Sequence, residues 1–197
     1  MIESIIINGA ILGGIYALLS LGFTLIYGVS GVINLAHGAF FMLGAFMFSA
    51  FGPLGVIPAL ILAVIFVGFS GSIVYRLTIH PLLGDDVAIM VVTVSLALVL
   101  QQLILLAFGF SAPVAPLVSG LTVVWGVPVI HMKLLAFALS LGLFFGLWIF
   151  IAESKVGAAM RAVSQDREVA MLMGINTERL YMLTMGISAG FATLAGV

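Results

Sequence analysis

The spacing of its charged residues constrains this chain more than any other feature of the sequence. No Asp, Glu, Lys or Arg occurs between Glu3 and Arg76, between Asp86 and Lys133, or between Lys133 and Glu153. A charged side chain at the centre of a bilayer costs about 2.5–3.5 kcal/mol, so each membrane-spanning helix needs about 20 residues without charge. The first interval has room for three such helices, and the other two have room for one helix each plus, in the longer interval, a loop. The sequence therefore predicts an all-α, polytopic transmembrane helical bundle.

Composition excludes several classes of function. Hydrophobic residues make up 64% of the 197 residues and charged residues 7%, and the net charge of −1 provides no basic surface for nucleic acid. The apolar runs lack the alternation of an outer-membrane barrel strand, which favours helices in an inner membrane. The chain has no cysteine, which excludes thiolate metal sites and cysteine nucleophiles. Because no phosphate-binding sequence of the Walker A type is present, we expect the chain not to hydrolyse ATP, and we expect neither a cofactor nor a metal ion.

About six apolar segments are predicted to cross the membrane, and the six prolines lie at their ends or in the loops between them. Loops rich in Lys and Arg stay in the cytoplasm. Arg76 lies at the end of the third segment, and four further Lys or Arg residues follow the fifth. Both loops therefore predict a multi-pass protein of the inner (cytoplasmic) membrane whose N-terminus lies outside. The predicted spans are approximately 5–27, 32–51, 56–77, 87–108 and 134–152, followed by an apolar run from residue 180.

Two long connections separate the last three spans. The segment 153–179 contains two stretches with the periodicity of short amphipathic helices, and we expect it on the cytoplasmic side. Gly174 is predicted to end the second of these helices, and Asn176 to cap the helix that follows. The segment 109–133 is expected to form an extracytoplasmic loop with some extended structure. We expect residues 1–197 to form a single transmembrane domain that is a fragment of a longer protein, because the chain ends inside an apolar run.

Uncharged polar residues inside the predicted spans are candidates for a translocation pathway. Asn34 and His37 are three residues apart, which predicts that they share one face of a helix. They either join two helices by hydrogen bonds or line a solute pathway, since a buried polar group without a partner costs about 1–3 kcal/mol. Gly31 and Gly38 flank the pair, which favours a local break in the helix. The same two interpretations apply to four residues of the fourth span: Thr93, Ser95, Gln101 and Gln102.

Two blocks of sequence carry a family resemblance. Residues 168–174 read EVAMLMG, which is similar to the E-A-A-x-x-x-G signature of ATP-binding cassette (ABC) importer permeases. Val169 replaces the first alanine of that signature, and the I-x-L-P sequence that often follows is absent near Thr184. The wider block 157–176 and the N-terminal block 14–45, which contains the string NLAHG, resemble one branch of these proteins, the branched-chain amino acid permeases. The resemblance covers nearly the whole chain in collinear order.

The resemblance implies a transmembrane permease subunit of an importer for branched-chain or related amino acids. Its partners would be ATPase subunits, a second permease subunit of identical or related sequence, an extracytoplasmic solute-binding protein and the lipid membrane. In such permeases the signature segment forms a coupling helix that sits in a groove of the ATPase, and small residues such as Ala170 would let it sit deeply. The resemblance assigns the ATPase-coupling segment to five residues: Arg161, Asp166, Glu168, Ala170 and Gly174.

Other functions remain open at this point. A urea or short-amide permease of the same family would share both blocks of sequence. An energy-independent small-solute channel would have no need for the polar segment 153–179, which disfavours it. An intramembrane enzyme that uses His37 would lack an acid or a nucleophile beside it. The exact solute is not determined, because a separate binding protein largely selects it in such importers.

Overall fold

The computed structural model describes residues 2–109, 120–124 and 127–197. Eight α-helices and one β-hairpin lie within these ranges, which confirms the all-α helical architecture. The helices are α1 (Ile2–Ser30), α2 (His37–Phe51), α3 (Val56–Val74), α4 (Asp86–Phe108), α5 (His131–Glu153), α6 (Lys155–Gln165), α7 (Arg167–Leu172) and α8 (Thr177–Gly196), and the strands are β1 (Leu121–Val124) and β2 (Val127–Ile130). Helices α1, α3, α4 and α5, and α2 together with the 3₁₀ turn Gly52–Leu54 that follows it, are each long and apolar enough to cross a membrane.

Helix α8, at the position of the sixth predicted span, lies at the centre of the bundle and packs against α1, α2 and α3. Its polar residues make it less apolar than α1 to α5, and it is not among the helices that composition alone marks as spanning. Glycines allow close contact of backbones on two sides of α8. A Cβ added at Gly186 would lie 3.0 Å from the carbonyl oxygen of Gly68 in α3, and one added at Gly44 in α2 would lie 2.5 Å from Cα of Thr193. Such close approach supplies the van der Waals packing that holds helices together in a membrane.

The connection between α1 and α2 differs from the prediction. The sequence predicts a second span from about Val32, but α2 begins only at His37. Gly31 ends α1 with a φ of 71°, a left-handed conformation that glycine adopts without strain. The Asn34 Oδ1 then accepts a hydrogen bond from the Ala36 N–H at 3.1 Å, and such local bonds compete with the helix. Asn34 therefore precedes the helix, and the prediction that it shares a helical face with His37 is wrong, whereas the local break beside Gly31 is confirmed.

The end of α3 has unusual backbone geometry. Residues Tyr75–Ile79 continue the helix as a π-helical turn, and the His80 N–H donates a hydrogen bond to the Tyr75 carbonyl across five residues. A short 3₁₀ turn that contains Pro81 follows. The Asp85 side chain then caps the first turn of α4. The π-helical turn therefore forms the last part of α3 before the chain turns back into the bundle.

The connection between α4 and α5 contains the extended structure that its sequence predicts. Strands β1 and β2 pair antiparallel, with Thr122 opposite Val129. Val129 is buried against Ile11 of α1. The rest of the predicted loop, at residues 110–119 and 125–126, lies outside the described residues. The hairpin therefore packs against the N-terminal part of α1.

Candidate functional site

The segment between α5 and α8 forms two short helices, as its periodicity predicts. The Ser154 side chain caps α6, accepting a hydrogen bond from the Gly157 N–H at 2.8 Å. The Asp166 side chain caps α7, accepting from two N–H groups at 2.9 and 3.0 Å. Gly174 follows α7 with a φ of 85°, the left-handed conformation that commonly ends a helix. Asn176 caps α8 by accepting from the Arg179 N–H, so the two boundaries predicted at Gly174 and Asn176 are confirmed.

Arg161 lies at the elbow between α5 and α6. Its guanidinium donates hydrogen bonds to the carbonyl oxygens of Ile151 and Ala152, the second at 3.1 Å. These are terminal carbonyls of α5, which have no partner within their own helix. Gly157 lies against the same turn, since a Cβ added there would meet the Ile151 backbone. Arg161 therefore fixes the direction in which α6 leaves α5.

Helix α7 presents apolar side chains to its surroundings. Leu172 is 86% exposed and Met173 is 80% exposed, and about half of Val169 is exposed. We call these three residues the α7 apolar surface. Ala170 is only 3% exposed and belongs to the main core of the bundle, so it faces inward rather than toward a partner groove. Glu168 is exposed in the first turn of α7, beside the α7 apolar surface.

A first cleft, of about 300 Å³, opens beside the break between α1 and α2. His37 forms part of its wall and joins three helices. The His37 Nε2 donates to the Leu19 carbonyl of α1 at 3.0 Å, and its Nδ1 lies 3.3 Å from the Ser188 hydroxyl of α8. That hydroxyl donates to the Gly22 carbonyl at 2.6 Å. The cleft is lined by Leu19, Ser20, Phe23, Thr24, Asn34, Leu35, His37 and Gly38.

Asn34 and Thr93 hold the segment that forms the floor of this cleft. Asn34 is fully buried, and its Nδ2 donates to the Met185 sulfur of α8 at 3.5 Å. Thr93 of α4 is also fully buried, and its Oγ1 accepts from the Leu35 N–H at 3.2 Å. These bonds satisfy the buried polar groups, as a packing role requires. Asn34 itself lines the cleft, whereas Thr93 acts on the cleft through its bond to Leu35.

A second cleft, also of about 300 Å³, lies between α2 and α4. Gln101 and Gln102 are exposed in its wall. Gly38 lines the first cleft and Met42 the second, and residues four apart in a helix lie on the same face. Both pairs of predicted polar residues therefore line clefts on one face of α2. The second cleft is lined by Met42, Phe46, Gln101, Gln102, Ile104, Leu105 and Gly109.

Known proteins are similar to this chain along almost its whole length. The family model described as branched-chain amino acid transport system / permease component matches residues 5–197. The chain is 30% identical over 210 residues to the high-affinity branched-chain amino acid transport system permease protein BraD of Pseudomonas aeruginosa, covering 98% of this chain and 68% of BraD. It is 31% identical over 210 residues to the permease protein LivH of Escherichia coli, covering 96% and 68%. It is 27% identical over 208 residues to a probable LivH of Methanocaldococcus jannaschii, covering 98% and 65%. No solved structure matches the chain.

Proposed function

Because the chain belongs to the family of branched-chain amino acid transport permeases, we propose that it is the transmembrane permease subunit of an ABC importer for branched-chain or related amino acids. The observation that supports this function most strongly is the α7 apolar surface, since Leu172 and Met173 are almost fully exposed on a short helix beside the membrane-spanning ones. A permease needs such a surface to bind an ATPase, whereas an energy-independent channel does not. Hydrolysis of ATP then belongs to separate subunits, and the chain itself is not an enzyme.

The proposed coupling element consists of α6 and α7. Arg161 fixes α6 to the end of α5, Ala170 attaches α7 to the bundle, and Asp166 and Gly174 set the two ends of α7. The α7 apolar surface faces the ATPase, with the Glu168 carboxylate as a polar contact at its edge. Burying an exposed leucine or methionine contributes about 1.5–3 kcal/mol. Two such side chains therefore supply a substantial part of the binding free energy.

The proposed orientation places α6 and α7 in the cytoplasm and the N-terminus outside. Arg76 at the end of α3 forms an ion pair with Glu178 at the start of α8, with a distance of 2.8 Å. The two Arg-containing connections therefore meet at one end of the bundle, which is the arrangement that the distribution of positive charge favours. At the other end, the Lys133 Nζ donates to Asn8 Oδ1 at 3.2 Å.

A single cysteine at position 166 tests this orientation, because the chain contains no other cysteine. We expect a membrane-impermeant maleimide to label Asp166→Cys in inverted vesicles and to leave it unlabelled in intact cells. Labelling of intact cells would reverse the proposed orientation.

The proposed translocation pathway follows the face of α2 on which both clefts open. Asn34 and His37 hold one wall region in place through their hydrogen bonds, and the exposed Gln101 and Gln102 form the other. The amide groups of Gln101 and Gln102 offer hydrogen bonds without a fixed charge, which suits a zwitterionic amino acid. A second permease subunit, a copy of this chain or a related one, would close the open side of the clefts. An extracytoplasmic binding protein would deliver the solute.

Affinity purification of the tagged chain in a mild detergent tests the proposed function. We expect an ATPase subunit and a permease subunit to co-purify in fixed stoichiometry and to be identified by mass spectrometry. Recovery of the chain without any ATPase, from membranes in which its transport activity is measurable, would instead support the channel alternative.

A further inference from the structure

A row of side chains connects α7 to the π-helical turn at the end of α3. The guanidinium carbon of Arg167, the first residue of α7, lies 5.7 Å from the centre of the Tyr181 ring in α8. The Tyr181 ring meets the Tyr75 ring edge to face, with 6.1 Å between their centres. Tyr75 is the first residue of the π-helical turn. We call Arg167, Tyr181 and Tyr75 the aromatic row, and it gives α7 a continuous contact with α3 through α8.

The hydroxyl of Tyr75 is not satisfied in this conformation. The side chain is fully buried, and the oxygen has no hydrogen-bond partner among the described residues. An unpaired buried hydroxyl lowers stability, and phenylalanine would fill the same space without that cost. The stability of this conformation therefore does not explain why the position holds tyrosine.

The π-helical turn offers a second arrangement of the same segment. Such turns are rare and contain one residue more than the α-helical turn that could replace them. Relaxation to α-helical geometry would shift the following residues by one position, which is about 100° of rotation around the helix axis. The rest of the contact between α3 and α8 is fixed, because the Ser72 hydroxyl donates to the Met182 carbonyl at 3.0 Å and Gly68 meets Gly186 closely. The turn is therefore the part of this contact that can change.

The polar contacts that cover the turn are weak enough to be exchanged. Glu178 binds Arg76 at 2.8 Å and lies 3.9 Å from the His80 Nε2. The side chains of all three residues are substantially exposed, so water competes with these contacts. They hold the present arrangement without preventing another.

We propose that the aromatic row transmits the movement of α7 to α3 during transport, and that the Tyr75 hydroxyl gains a hydrogen-bond partner when the π-helical turn relaxes. This proposal rests on the proposed function, because α7 moves only if an ATPase bound to it changes shape. Arg167, Tyr181 and Tyr75 are positioning residues, since none of them needs to touch the solute. The turn supplies the element with two arrangements that such coupling requires.

The substitution Tyr75→Phe in the complete transporter complex tests the proposal, with Tyr181→Phe as the matched control. Both variants keep the rings of the aromatic row, and only Tyr75→Phe removes a buried, unpaired hydroxyl. We expect the melting temperature of Tyr75→Phe to equal or exceed that of the wild type, and ATPase binding to be retained. The amount of amino acid transported per ATP should fall roughly fivefold, the factor by which one hydrogen bond shifts a two-state equilibrium. Tyr181→Phe should stay near the wild-type value.

Three results would overturn the proposal. The first is a Tyr75→Phe transporter with unchanged transport per ATP, because the hydroxyl would then have no role in the transport cycle. The second is an equal loss in Tyr181→Phe, which would assign the effect to ring packing. The third is loss of ATPase binding in Tyr75→Phe, which would assign it to docking. Failure of the proposed function itself is recognised separately, since the wild-type complex would then show no ATP-driven transport.

Discussion

Replacing Leu172 by serine is expected to weaken binding of the ATPase without destabilising the permease. The Leu172 side chain is 86% exposed, so the permease alone loses few contacts. Burying a leucine side chain contributes about 1.5–3 kcal/mol, and about 1.4 kcal/mol corresponds to a tenfold change in Kd. We therefore expect the Kd for the ATPase subunit to rise about 10- to 100-fold in Leu172→Ser.

The assay is a titration of the ATPase subunit onto the permease in lipid nanodiscs, with the melting temperature measured in parallel. Leu54→Ser is the matched control. Leu54 is 60% exposed in the turn between α2 and α3, which the proposed orientation places on the opposite side of the membrane. An unchanged Kd in Leu172→Ser, or an equal weakening in Leu54→Ser, would refute the reasoning.

Three further predictions concern the C-terminal end of α7 and the two clefts. Gly174→Val should abolish stimulation of the ATPase, because a branched residue in the left-handed conformation costs about 1–2 kcal/mol and would redirect the chain after α7; wild-type ATP hydrolysis rates in this variant would contradict the role of that turn. His37→Ala should lower the stability of the permease by about 1–3 kcal/mol, since it removes the contacts between α1, α2 and α8, while transport per folded molecule is retained. Combined replacement of the exposed Gln101 and Gln102 by alanine should leave the stability of the permease unchanged and lower transport per folded molecule. Thermal unfolding and uptake assays, measured on both variants, separate the two outcomes.

The bounds of a helix could be predicted well where charged residues flank it. The fourth span is predicted at 87–108 and observed at Asp86–Phe108, because acidic residues precede it and the helix ends at Gly109. The end of α7 and the cap of α8 could likewise be predicted, since Gly174 and Asn176 act through their own backbone neighbourhood. Local chemistry of this kind does not depend on the rest of the fold.

Features that depend on tertiary contacts could not be predicted. The break beside Gly31 was predicted, but its extension to His37 was not, because the Leu35 N–H is held by the Thr93 hydroxyl of α4. Helix α7 has only six residues, so its periodicity does not reveal that Ala170 faces inward and Leu172 outward. The π-helical turn at Tyr75 lies in an apolar run that gives no sign of it.

The same limit applies to the clefts. Asn34 and Gln101 belong to segments far apart in sequence, and only the packing of α1, α2 and α4 places their clefts on one face of α2. Spacing within a segment shows which residues are neighbours on that segment. It does not show which residues of another helix lie opposite them.

Uptake of labelled leucine into proteoliposomes tests the central proposal most directly. The permease is reconstituted with its second permease subunit and ATPase subunits. Labelling at position 166 shows on which side of the vesicle membrane α7 lies, and the solute-binding protein is supplied on the other side. We predict that leucine accumulates against its gradient only when ATP is present on the side of α7, and that Leu172→Ser reduces this accumulation. Equilibration of leucine across the membrane without ATP, at the same rate in the wild type and in Leu172→Ser, would contradict the proposal and identify the chain as part of a passive channel.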